Sequence, residues 1–169
     1  MTIKTKLITI SFLILTIPLI VLGIFSYKKS ENSLDELGAT NLQNSVEMTI
    51  ELIEALNEEV EEGHISLDEA KEKVKVAILG ERQADGTRPI NENINLGENG
   101  YLFILEENGM MSGHPELEGT NMWEEEDPNG VKYIQEFIKA GKNNGGFTYY
   151  DFPLPGNENQ IEPKLTYSK

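Results

Sequence analysis

One stretch constrains this chain before any other. LITISFLILTIPLIVLGIF, Leu7 to Phe25, carries no charged side chain and is broken only by Thr and Ser hydroxyls and Pro18. At about 1.5 Å per helical residue it extends roughly 28 Å, enough to cross the hydrocarbon core of a bilayer. A buried core helix of this length needs far more protein around it than 169 residues supply. A cleavable signal peptide has a shorter apolar region and a small-residue cleavage site, whereas this run ends in SYKKS. Pro18 is tolerated in lipid, where the freed carbonyl finds other partners. The run predicts an uncleaved membrane helix over residues 7–27. Lys4 and Lys6 precede it and Lys28 and Lys29 follow, so the positive charges leave its orientation undecided.

Beyond the span, residues 28–62 contain a single glycine and no proline. Leu34, Leu37, Leu42, Val46, Ile50, Ile53, Leu56 and Val60 recur at mostly three- and four-residue steps, which predicts one long amphipathic helix. Its distal half is expected to pack on the domain that follows. Its proximal half is expected to form the seam of a parallel homodimer. Ser66, with Glu69 three places on, marks a capping box and a second helix, with Val74, Ala77 and Ile78 inward and Gly80 as the stop. His64 falls in the connection and reads as a solvated residue.

After Gly80 the character changes. Asn-Gly pairs at 99, 108, 129 and 144 punctuate strand-like pieces at residues 101–105, 110–112, 147–152 and 164–168. IQEFIKA, Ile134 to Ala140, reads as a short helix between them. Helices followed by antiparallel strands with an inserted helix define an α+β fold over residues 63–169.

With 14 basic against 29 acidic residues, the formal net charge is -15. That excludes nucleic acid as a partner, because such binding neutralises phosphates with Lys and Arg. The absence of cysteine excludes disulfides and thiolate metal sites.

GENGYLFILEENGMMSGHPELEGTNMW, DPNGVKYIQEFIKA, GGFTYYDFPLPG and PKLTYSK follow one another in this order. Together they resemble the single-Cache domain, a PAS-like extracytoplasmic sensor module. The span and long helix are similar to the start of a bacterial methyl-accepting chemotaxis protein. The resemblance implies that residues 1–6 are cytoplasmic and the Cache domain lies outside the cell membrane. It implies a small-molecule ligand, often a short carboxylate, and signalling to chemotaxis proteins through a cytoplasmic part. The family pattern continues into a last strand, a second span, a HAMP linker and a signalling bundle, so the chain is expected to be a piece of a longer receptor. The same input module serves sensor histidine kinases and cyclic-nucleotide enzymes, which stay open as alternatives. An anchored structural protein is a further one.

No enzyme is expected. There is no Cys nucleophile and no placeable Ser-His pair, and His114 with Glu116 falls short of the three protein ligands of a catalytic zinc. No cofactor or metal is expected either. Glu125 to Glu136 nearly fits a calcium loop, with oxygens at positions 1, 3 and 5, Gly130 at 6 and Glu136 at 12. A Pro-Asn-Gly turn before the short helix explains the same residues better.

A ligand anion needs a cation or hydrogen-bond donors in an apolar wall. Basic residues are scarce after Gly80, and Lys164, on a segment that matches the family's ligand-side strand, is the first choice. Tyr101, Trp123 and Tyr149 each join an apolar body to a polar tip, and His114 follows directly on the hairpin. Strand alternation puts Phe147 and Tyr149 on one face and Tyr150 and Phe152 on the other, so only one set can face the ligand.

Overall fold

A computed structural model describes residues 2–97, 99–154 and 157–169, apart from the side chain of Glu158. Glu98, within GENG, and Pro155 and Gly156, within GGFTYYDFPLPG, lie outside the described residues. The first helix, α1, runs unbroken over Ile3–Glu61, with Pro18 inside it. Two compact units divide the chain, Met1–Gly38 and Ala39–Lys169.

In the first unit the helix carries a stretch of mean hydropathy 2.7, none of it buried against other protein. Leu15, Leu19 and Phe25 are each more than three-fifths exposed. Two hydroxyls in this stretch bond within the helix: Thr9 and Thr16 donate to the Thr5 and Phe12 carbonyls. This is the surface of a helix long and apolar enough to cross a membrane.

In the second unit α1 contributes Val46 to a cluster with Ile78, Leu79 and Leu102. Helix α2 covers Leu67–Ile78. Ser66 caps it, accepting the Glu69 N–H at 3.2 Å, while the Glu69 carboxylate pairs with Lys73. Its buried face is Ala70, Val74 and Ile78. Ala77 is exposed rather than buried, because the four-residue step from Ala70 through Val74 to Ile78 turns it to solvent.

Strands β1, Ile104–Leu105, and β2, Met111–Gly113, form an antiparallel hairpin. Asn108-Gly109 makes its turn: the Gly109 N–H donates to the Glu106 carbonyl and the Asn108 side chain accepts from Met110. Gly109 takes a φ of 87°, and a Cβ there would lie 2.7 Å from that of Trp123. Strand β1 is shorter than the piece at 101–105, because Tyr101 to Phe103 do not ladder, and β2 is shifted by one residue from the piece at 110–112.

Helix α3, Tyr133–Lys142, packs on a second hairpin of β3, Gly146–Leu154, and β4, Asn157–Ser168. The register pairs Tyr150 with Lys164 and Phe152 with Glu162. The main core joins Met111, Met122, Tyr133, Ile134 and Phe137, with Phe103, Tyr150 and Phe152 partly buried against it.

Candidate functional site

Between the first hairpin, α3 and β3 lies a small cavity, about 270 Å³ of unoccupied space counting the solvent at its mouth. Phe103, Tyr133, Phe137, Tyr150 and Phe152 give it an aromatic wall, and Tyr101 and His114 bring the polar atoms. Tyr133 stacks on Tyr150 at 4.9 Å between ring centres, and the Tyr150 hydroxyl is engaged with Thr166 at 3.2 Å. That leaves few polar groups to greet a ligand.

The state of His114 follows from its hydrogen bonds. Its Nδ1 accepts the N–H groups of Glu116 and Leu117, at 3.1 and 3.0 Å. A nitrogen that accepts cannot carry the proton, so the neutral ring holds it on Nε2. Nε2 lies 3.1 Å from the Tyr101 hydroxyl, which therefore accepts from His114 and keeps its own proton to donate elsewhere. Burial pushes the imidazole pKa down to about 4, and the charge of Lys164 pushes the same way. Burial also raises the Tyr101 pKa well above the usual tyrosine range, so the hydroxyl stays protonated.

Lys164 is the unusual residue. Its Nζ is buried and has no hydrogen-bond partner among the described residues. It rests 5.2 Å from the ring centres of both Tyr101 and Phe152, two walls of the cavity. Such contacts compensate in part for lost water. Burial lowers its pKa, and the Glu162 and Glu116 carboxylates hold it up in part.

Of the residues singled out in the sequence, Tyr101 and His114 thus line the cavity and Lys164 shares its rings. Trp123 is half-buried outside the lining, beside Gly109, with its carbonyl bonded to Gln135. Tyr149 is 74% exposed, on the outer face of β3. Alternation along β3 turns Tyr150 and Phe152 inward instead, because their face meets α3.

Arg88, which with Pro89 carries a turn signal in the sequence, is buried. Its buried guanidinium contacts Glu118 at 2.6 Å and Glu72 at 2.8 Å, and Lys75 reaches Glu118 at 2.9 Å. Its partners lie 16 and 30 residues away, beyond the reach of any local pattern. In the calcium-like loop, Asp127 spends its carboxylate on backbone N–H groups of Asn129, Val131 and Asp151. It is a turn cap, and its oxygens face amides. His64 is exposed beside Glu59 and Glu62, at 3.1 and 3.3 Å.

The domain is thus a helix-and-hairpin α+β fold with an aromatic cavity and one unpaired ammonium beside its rings. Residues 34–169 match the family described as Single Cache domain 2, and the chain belongs to that family. Among curated relatives it is similar to the methyl-accepting chemotaxis protein CtpM of Pseudomonas aeruginosa, 29% identical over 116 residues, 59% of this chain and 20% of that one. It is also similar to the sensor histidine kinase MctS of Rhizobium johnstonii, 25% identical over 181 residues, 99% of this chain and 36% of that one. The chain thus spans well under half the length of both relatives. Among solved structures, a periplasmic sensor domain of a chemotaxis protein superposes with a TM-score of 0.61 at 26% identity, covering 79% of this chain and 85% of the other. A Cache chemosensory domain described as recognising carboxylic acids gives the same TM-score at 19% identity, covering 80% and 86%. At that identity the likeness is one of fold.

Proposed function

We propose that this chain senses a short carboxylate outside the cell and passes the binding event through its membrane helix to a signalling module. In this reading residues 7–27 span the membrane, 28–62 form the signalling helix and 63–169 form the sensor. Relatives that bear the names of a chemotaxis receptor and of a histidine kinase support a sensory role with either output. The fold itself accommodates carboxylic acid recognition in another chemosensory domain.

The observation that carries the reading is Lys164. A buried ammonium without a partner is costly unless an anion joins it. The Tyr101 hydroxyl proton, left free by His114, supplies the second contact. With His114 neutral, Lys164 is the one cation beside the cavity's rings among the described residues, which suits a ligand with one carboxylate. Leu34 and Leu37, both 66% exposed, supply an unburied stripe for a parallel pair of chains. Ligand-dependent closure of the connection from His114 to Trp123 would bias two arrangements of the helices, which is what signalling requires.

Titration calorimetry on the full chain in lipid nanodiscs tests this with a panel of short mono- and dicarboxylates. The wild-type protein is expected to bind at least one monocarboxylate. Lys164→Met should weaken that binding about ten- to a hundredfold, or roughly 1.5–3 kcal/mol. Unchanged affinity in the variant, or no binding across the panel, overturns the reading.

A further inference from the structure

Arg88 stands outside the cavity, yet it grips the segment that governs His114. Its side chain is 1% exposed, and each of the three guanidinium nitrogens donates a hydrogen bond. Nη1 donates to the Gly80 carbonyl at 3.0 Å, Nε to Glu118 at 2.6 Å and Nη2 to Glu72 at 2.8 Å. Its backbone N–H donates to the Pro115 carbonyl at 2.8 Å. The segment from Pro115 to Glu118 is therefore fixed at both ends, by a backbone bond at one and a carboxylate at the other. The two N–H groups that hold His114 Nδ1 as an acceptor, those of Glu116 and Leu117, lie between these anchors.

We propose that Arg88 is a positioning residue for ligand binding: it holds the Pro115–Glu118 segment so that His114 carries its proton on Nε2 and the Tyr101 hydroxyl points its own proton at the ligand. This rests on the proposed carboxylate site. The logic is a relay of hydrogen-bond directions. With Nδ1 occupied by two donors, Nε2 must donate to Tyr101, and Tyr101 must donate outward. If the segment relaxes, the proton can move to Nδ1 and Nε2 becomes an acceptor. Tyr101 then donates inward and turns a lone pair toward the anion. One reversed bond thus converts a recognising group into a repelling one. Lysine cannot replace Arg88 here, because only the planar fork reaches a carbonyl and two carboxylates at fixed angles.

The test reads the imidazole directly. Full chain with ¹⁵N-labelled histidine, held in nanodiscs, should show the Nε2–H tautomer at His114. Arg88→Lys and the near-isosteric Glu118→Gln should each give mixed tautomers, and each should lower affinity for acetate, used as the probe, about tenfold. Lys164→Met should weaken acetate binding about ten- to a hundredfold but keep the tautomer. Phe147→Leu, on the outer face of β3 and outside the cavity lining, should leave the imidazole signature unaltered. Glu118→Gln decides the matter if Arg88→Lys does not fold. A folded Arg88→Lys or Glu118→Gln protein with the wild-type imidazole signature overturns the proposal. Failure of the wild-type protein to bind acetate overturns the carboxylate reading with that probe, while the imidazole signature still decides the role of Arg88.

Discussion

Arg88 and Lys164 both have their charged nitrogens out of water, and their surroundings treat them in opposite ways. Arg88 meets two carboxylates and two carbonyls, counting the bond from its backbone. Burial alone would lower its pKa, but the bonds to Glu118 and Glu72 more than offset that, and it is raised. Lys164 meets two aromatic rings and no hydrogen-bond acceptor among the described residues, and burial wins. A cation used as structure has its partners built in. In the proposed reading Lys164 is held for a ligand, and the fold bears the penalty of its missing partner until one arrives.

Three measurements put that contrast at risk, using the fluorescence of the single tryptophan, Trp123, to follow urea unfolding of the second unit. The largest effect is expected from Arg88→Met. Removing one partner of a buried ionic cluster strands the other, a loss of about 3–5 kcal/mol. Lys75 still pairs with Glu118, which places the expected value near the lower end. A loss below about 1 kcal/mol would make Arg88 no more structural than a surface residue.

The next effect comes from acid. His114 titrates near 4 in the fold against 6.5 in the unfolded chain. The unfolded state therefore takes up a proton that the folded state refuses, and stability present above pH 6.5 falls as pH drops toward 4. The full loss is about 3 kcal/mol. His114→Asn keeps an acceptor for the following N–H groups and should flatten this decline. An equally steep decline in the variant would assign it to other groups.

The smallest effect is a gain. Lys164→Met removes a buried unpaired ammonium and should stabilise the ligand-free protein by about 1 kcal/mol at neutral pH. The depressed folded pKa means that the wild-type protein gains stability as pH rises toward 10.5, so the gap between the two proteins should close there. A Met variant less stable than wild type would mean that Lys164 has structural partners after all.

Much of this unit was legible in its sequence, and the rest was hidden for definable reasons. The Ser66 cap, the Asn108-Gly109 turn and the heart of α3 rest on neighbours within a few positions, where propensity and spacing act directly. The face of β3 was not legible. Alternation separates Phe147 and Tyr149 from Tyr150 and Phe152, but only the arrival of α3 decides which pair is buried. Its polar tip makes Tyr149 the candidate in the sequence, whereas α3 brings Tyr150 to the cavity instead. The tautomer of His114 and the grip of Arg88 depend on contacts across loops, and no period or motif carries them.

The Asn-Gly turns also set how the folded protein ages. Deamidation begins when the backbone nitrogen after an asparagine attacks its side-chain amide, and glycine offers the least obstruction. In three of the four pairs that nitrogen is already committed. Gly109, Gly130 and Gly145 donate to the Glu106, Asp127 and Ala140 carbonyls at 2.9, 2.9 and 3.0 Å. Gly100 has only a 3.4 Å bond to Gly97. On storage, chemical damage should therefore start at Asn99, just ahead of Tyr101, while the other three turns are protected for as long as the domain stays folded.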